Sequence, residues 1–202
     1  MLVGISGSQG QGKTTVLNTL SELGYNVSPR KTSRTILRDW GYTLDEVNKY
    51  PPLTQKFQEE VLVRHRNSEL PLIEDKSTIH FAERTYADIF AYTMFAMGSF
   101  NEYNKWLSDY HDRCLAYQQD YDIIIHLGGR DYTPELDGVR SINKQFMLCV
   151  NLVIDHFLEE FNKKASKSVL IKINTPDHNE RIDKINEAIR ATFGEQYVKP
   201  RK

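Results

Sequence analysis

Near the start of the chain stands Gly7-Ser8-Gln9-Gly10-Gln11-Gly12-Lys13-Thr14, followed by Thr15. This is the G-x-x-x-x-G-K-[ST] spacing of a phosphate-binding loop. Each residue type in it has a physical task on a polyphosphate. The glycines let backbone N–H groups turn inward and approach phosphate oxygens with no Cβ in the way. Lys13 brings an ammonium to the β- and γ-phosphates, and the Thr14 hydroxyl is a ligand for Mg²⁺. A helix that begins at the end of the loop directs its N-terminal dipole at the anion. The pattern predicts that ATP with Mg²⁺ is held across residues 7–15.

Other residues suit a phosphorylated partner. Glu83 and Arg84 are adjacent: the carboxylate can hold a water on Mg²⁺ or orient an acceptor, and the planar arginine fork can bridge two phosphates. Arg30, Lys31 and Arg34 place three cations within five residues, a candidate anion site for an acceptor. Arg130 and Arg140 bound a segment rich in Asp, Thr, Pro and Gly, the composition of a mobile loop. That segment, about 128–142, is expected to act as a lid whose arginines neutralise a transferring group and exclude water. Phe57, Gln58 and Tyr86 offer rings for stacking on a nucleobase and an amide to read its edge.

The elements needed to position these residues are legible in the hydrophobic pattern. A short apolar run at residues 2–6 precedes the loop as a strand. Val16, Leu17, Leu20 and Leu23 follow at helical spacing, with Gly24 at a helix C-terminus. Further strands are expected at 25–28, 77–82, 122–127 and 169–173. Helices are expected at about 32–40, from Thr43 with Glu46 as a capping box, at about 53–69 and 86–97, and as the stripe Trp106, Leu107, Tyr110, Cys114 and Tyr117. Pro51-Pro52 is read as the stop of the short helix. Phe146, Val150, Val153, Phe157 and Phe161 share one face of a long helix, and Ile182, Ile185 and Ile189 mark the last one, closed by Gly194. Five strands alternating with helices predict one α/β domain with a mainly parallel sheet. In such a sheet ligands gather at the carboxyl ends of the strands, and every polar cluster above lies just after a predicted strand. The turn Asn174-Thr175-Pro176 joins them as the expected neighbour of the adenine.

Composition narrows the classes. Lys and Arg number 26 against 27 Asp and Glu, a net charge of −1, so a nucleic-acid coat or a protein drawn to anionic membrane is not expected. No apolar run approaches the ~20 residues of a membrane span, and a first strand at Met1 leaves no room for a signal peptide. A cytoplasmic protein is therefore expected. Cys114 and Cys149 lie in apolar helical patterns and are read as core residues. The six histidines show no metal-ligand spacing with them and are read as structural or solvated. The apolar helix at 142–161 is either core or the surface of a homodimer.

Across about residues 1–190 the chain resembles the nucleoside and nucleoside-monophosphate kinase group of P-loop proteins. Glu83-Arg84-Thr85-Tyr86-Ala87-Asp88-Ile89-Phe90-Ala91-Tyr92 is similar to the D/E-R-[ST/Y]…A-Y segment of thymidylate and deoxynucleoside kinases. Phe57-Gln58 with Arg64 resembles the base-holding F-Q…R helix of deoxynucleoside kinases. Asp137-Gly138-Val139-Arg140 is similar to a pattern in nicotinamide-riboside-kinase-like ATPases, many of them phage-encoded. The resemblance implies a P-loop kinase fold and ATP-dependent phosphoryl transfer to a small-molecule nucleotide. Family members that phosphorylate a hydroxyl commonly carry a glutamate after the second strand. Here that stretch reads Pro29-Arg30-Lys31-Thr32-Ser33-Arg34, with cations where the base would be. A phosphate acceptor needs cations and no base, so a deoxynucleoside monophosphate is the expected acceptor. The resemblance alone implies an enzyme of bacteriophage type working in the host cytoplasm. A hydroxyl acceptor, on a nucleoside or a hydroxymethylated base, and a nucleotide-bound switch that transfers nothing stay open as alternatives.

Overall fold

The computed structural model describes residues 1–28, 33–129, 143–165 and 167–199. Strands β1 (Leu2–Ser6), β2 (Asn26–Val27), β3 (His80–Glu83), β4 (Ile123–Gly128) and β5 (Val169–Asn174) form one all-parallel sheet in the order β2-β3-β1-β4-β5. The strand that leads into the phosphate loop is therefore central. Parallel neighbours need crossovers, and helices α1 (Lys13–Glu22), α2 (Ser33–Trp40), α3 (Leu44–Asn48), α4 (Pro51–Glu74), α5 (Tyr86–Met97), α6 (Asn104–Gln118), α7 (Lys144–Ala165) and α8 (His178–Phe193) lie in the connections or follow the last strand.

Alternation along the strands sends side chains to two cores. Val3, Ile5, Phe81, Ile123, Ile125 and Leu127 pack with Val16, Leu17 and Leu20 of α1 and Ile182, Ile185 and Ile189 of α8. Leu2, Ala82 and Ile124 face the other way, onto α4 to α7. A small third cluster joins α2, α3 and α4 through Ile36, Leu37, Val47 and Phe57. There Trp40 meets Phe57 edge to face, with ring centroids 6.1 Å apart, and Lys56 lies over the indole. Trp106, on α6, donates its indole N–H to Glu59 of the same helix α4 at 2.6 Å.

Several expectations shift. Pro51 and Pro52 open α4 as well as ending the short helix, because a missing N–H costs nothing in a first turn. The same helix runs on through Pro71 to Glu74. Strand β3 starts at His80 and not at residue 77, because Asp75 draws the preceding chain into a turn, accepting from Ser77 N, Ser77 Oγ and Thr78 Oγ1 at 2.6–2.8 Å. Cys114 is buried as expected, but Cys149 is exposed. The inward face of α7 is set by Met147, Val150, Ile154, Phe157, Leu158 and Phe161, and Cys149 falls off that stripe. Among the described residues no helix is long and apolar enough to cross a membrane.

Gly4 lies at the sheet's centre. A Cβ there would sit 2.7 Å from Thr85 Cγ2 and 3.1 Å from the Tyr121 ring. Gly4→Ala is expected to destabilise the fold by about 1–3 kcal/mol through overpacking. Urea unfolding should show a lower midpoint at an unchanged slope; an unchanged midpoint would remove this packing argument.

Candidate functional site

The phosphate loop turns on glycines in the left-handed region: Gly7 has φ 133, Gly10 φ 85 and Gly12 φ 81. At Gly7 a Cβ would also lie 2.6 Å from the Leu127 carbonyl oxygen of β4. The loop's first half is tied down from helices on the far side of the sheet. Gly7 N donates to Asp88 Oδ1 of α5 at 3.0 Å, Ser8 N to Asn151 Oδ1 of α7 at 3.4 Å, and Gln9 N to the Tyr92 hydroxyl of α5 at 3.4 Å. Lys13 is buried, with Nζ donating to the Gly7 and Ser8 carbonyls at 2.6 and 2.9 Å. Thr14 and Thr15 are exposed at the first turn of α1.

Asp88 is itself fully buried. Its second oxygen takes the N–H and hydroxyl of Thr85 at 2.9 and 2.7 Å, capping α5. That cap places the residues just before it. Glu83 ends β3, in register with Ile5, and is half-buried. Arg84 follows with φ 74, unusual for a side-chain-bearing residue. Its N–H is held by the Ile5 carbonyl at 2.9 Å, and its guanidinium lies 4.7 Å from the centroid of the Tyr92 ring. Burial works against its charge, but Tyr92, Asp88 and Glu83 outweigh that and hold the guanidinium above its ordinary range. Tyr92 thus touches both the loop, through its hydroxyl, and Arg84, through its ring.

The other expected site residues divide. Arg34 is half-buried in the first turn of α2. Arg30, Lys31, Arg130, Arg140 and the segment 130–142 lie outside the described residues. Phe57 is in the third core cluster, and Gln58 is buried with its amide against the Thr93 hydroxyl at 3.1 Å. Arg64 pairs with Asp39 at 2.7 Å and Glu60 at 2.6 Å. Tyr86 is fully buried. Its ring meets His65, Tyr117 and Tyr121, and its hydroxyl donates to Glu69 at 2.5 Å. The expectation that this ring stacks on a base meets a packed core: no face is left open to one.

Sequence reading missed Asp88, Asn151 and Tyr92 as anchors of the loop, and it missed Arg181. The signal for Asp88 was present, since Thr85-x-x-Asp88 is a capping pattern, but its second duty needs a contact across the fold. Arg181 stands on the apolar stripe of α8, four residues before Ile185. A charge in that position points to an internal partner, and Arg181 is fully buried, bonded to carbonyls of Gln11, Gly128 and Thr175.

Mg²⁺ favours a few hard oxygen ligands, phosphate oxygens and water. The Thr14 hydroxyl and Glu83 carboxylate fit that donor set. Among the described residues no group of three or more His, Cys, Asp or Glu could hold a metal.

The family follows from the whole chain. A family model described as an AAA domain matches residues 2–181. The chain belongs to the AAA domain family. No curated protein matches it. Among solved structures, this AAA-domain chain shares its fold with a thymidylate kinase from Candida albicans, at a TM-score of 0.59 and 15% identity over 94% of this chain and 91% of that one. It also shares it with a deoxyadenosine kinase from M. mycoides. With bound dATP that structure aligns at a TM-score of 0.63 and 15% identity over 94% of this chain and 100% of that one. With bound dCTP the values are 0.64 and 17%, over 95% and 100%.

Beneath the loop two buried polar atoms, Ser6 Oγ and His126 Nδ1, have no hydrogen-bond partner among the described residues. Their strands are paired in register there. Burial holds the His126 imidazole below its ordinary range, and Lys172 and Lys13 add to the effect, while Asp88 and Asp155 oppose it. The unfolded chain therefore takes up a proton near the ordinary value of 6.5, where the folded protein does not. The stability contribution is full above that value and is lost as pH falls below it toward the folded pKa. Unfolding free energy should drop as pH falls below 6.5, with a slope from this residue of at most ~1.4 kcal/mol per pH unit. His126→Gln should flatten the profile, and parallel profiles for the two proteins would refute the assignment.

Proposed function

We propose that this protein transfers the γ-phosphoryl group of ATP to a small nucleotide, a (deoxy)nucleoside monophosphate, and releases the diphosphate. The observation that carries the reading is the pairing of the phosphate loop with Arg84 through Tyr92 at the carboxyl end of β1 and β3. In this reading the triphosphate site and a cation able to bridge donor and acceptor share one scaffold. The fold shared with thymidylate and deoxyadenosine kinases supports a nucleotide kinase in general, and the choice of a monophosphate acceptor rests on the cations near Arg34.

In this reading residues 10–15 take the β- and γ-phosphates, and the Lys13 ammonium leaves the loop carbonyls for phosphate oxygens. Thr14 and Glu83 would hold Mg²⁺, which offsets phosphate charge when bound. An oxygen of the acceptor phosphate attacks the γ-phosphorus, the bond to the β–γ bridging oxygen breaks, and ADP departs. Arg84 spans the two partners. Arg34, with Arg30 and Lys31 beside it in sequence, fixes the acceptor phosphate, and Arg130 and Arg140 close over the transferring group. Catalysis then rests on positioning and charge, since the reaction asks for little covalent chemistry from the protein.

A second reading has one observation in its favour. Glu83 lies beside Arg84 at the same strand end and could accept the proton of a hydroxyl acceptor, on a nucleoside or a hydroxymethylated base. A screen of deoxynucleoside monophosphates against nucleosides, with ATP and direct detection of products, separates the two. Diphosphate formation supports the first; product from nucleosides alone supports the second; ATP binding with no acceptor turned over would favour a nucleotide-bound switch.

Lys13→Ala should lower kcat by ~10²-fold or more, the scale for loss of one preorganised charge contact; near-normal turnover would reject the donor site. Lys31→Glu should raise KM for the monophosphate by about tenfold or more, as for a lost charge-assisted contact, with little change for ATP. Equal rises for both substrates would remove the acceptor role.

A further inference from the structure

Arg181 lies in the first turn of α8 and is wholly enclosed. Its Nε donates to the Thr175 carbonyl at 2.7 Å, one terminal nitrogen to the Gly128 carbonyl at 2.5 Å, and the other to the Gln11 carbonyl. The three oxygens come from three separate places: the phosphate loop, the end of β4, and the turn after β5. They sit around the site without any of them belonging to α8.

Direction is the consequence. A trans peptide is planar, so its C=O and the N–H of the next residue point opposite ways. With the Gln11 carbonyl drawn inward to the guanidinium, the Gly12 N–H is turned outward. With the Gly128 carbonyl drawn inward, the Gly129 N–H is turned outward too. Gly12 and Gly129 both have left-handed φ, 81 and 78, the conformation that lets neighbouring amides converge on an anion. Gly129 also packs onto β5, where a Cβ would meet the Asn174 carbonyl carbon at 2.6 Å. A guanidinium suits this task, since its donors diverge in a fixed plane and reach three acceptors at once. A lysine is a single point donor on a flexible stem.

We infer that Arg181 is a positioning residue for the donor nucleotide: by holding the Gln11 and Gly128 carbonyls it aims the amides of Gly12 and Gly129 at the polyphosphate. It rests on the reading of residues 7–15 as the ATP site. Arg181 touches no substrate, because it is enclosed beneath the loop. Its third bond ties the Asn174-Thr175-Pro176 turn to the same centre, so the phosphate cradle and the turn expected beside the adenine share one anchor.

The test uses Arg181→Met and Arg181→Lys in the full chain, with ATP and inorganic tripolyphosphate as probes in calorimetric titrations. Amide resonances of Gly12 and Gly129 are followed in parallel. Arg181→Met should bind both probes more weakly by on the order of 30-fold, the scale of losing charged hydrogen bonds at the loop. The two amides should lose the shift that tripolyphosphate produces in the wild type. Arg181→Lys should recover part of the affinity. Should Arg181→Met not fold, Arg181→Lys decides: a folded protein with about fivefold weaker binding of both probes supports the inference, and wild-type binding overturns it. Wild-type tripolyphosphate binding by a folded Arg181→Met overturns it as well, even if ATP binding falls, since the effect would then belong to the adenine turn. If the wild type binds neither probe, the donor-site reading itself fails and takes the inference with it.

Discussion

The Asp88 carboxylate is shut away from solvent and divides its two oxygens between two tasks. One caps α5 through Thr85, and the other accepts the N–H of Gly7, the first residue of the phosphate loop. A buried amide left without such a partner costs roughly 1–3 kcal/mol, so the carboxylate ties the start of the loop to the start of a helix on another layer. Asn151 and Tyr92 extend the same arrangement to Ser8 and Gln9. Three successive donors are thereby engaged by the protein, and the glycine-rich second half starts from that fixed point. Loop geometry here is set from outside the loop.

A second buried carboxylate lies deeper under the same corner. Glu69 accepts the hydroxyls of Tyr86 and Tyr121, both at 2.5 Å, and lies 3.1 Å from His65. Burial alone would push its carboxyl up; His65 and the two phenols outweigh this and hold it below the ordinary carboxylate range. Burial, with the nearby Glu69 charge, pushes both phenols up, so they remain donors. Tyr121 also packs against Gly4 and lies 3.4 Å from the Arg84 carbonyl. Arg84 is therefore held on several sides: by its backbone at Ile5, by Tyr121 beneath, and by the Tyr92 ring. A left-handed backbone at a residue with a side chain persists where its surroundings over-determine it, and these contacts do so.

The alternation of strands with helices follows from local pattern, and so it was readable. β1, the loop and α1 are adjacent in the chain, and the runs at β4, α7 and α8 repeat with the period of their element. Boundaries failed where a side chain diverted the backbone, as Asp75 does before β3, or where proline has a favourable place, as at Pro51 and Pro52. The glycines and Lys13 of the site were legible because their chemistry is compressed into eight residues. The anchors were not, because Asn151 and Arg181 reach the loop across more than 140 residues of chain. Tyr86 shows the converse: a ring next to charged neighbours reads as a ligand surface until packing assigns it to the core.

The chain's two tryptophans both rest against α4, Trp40 through Phe57 and Lys56, Trp106 through Glu59. Neither lies in the layer of α1 and α8. Indole emission is consequently a built-in gauge of that one long helix and the small cluster around it, while the opposite layer stays dark.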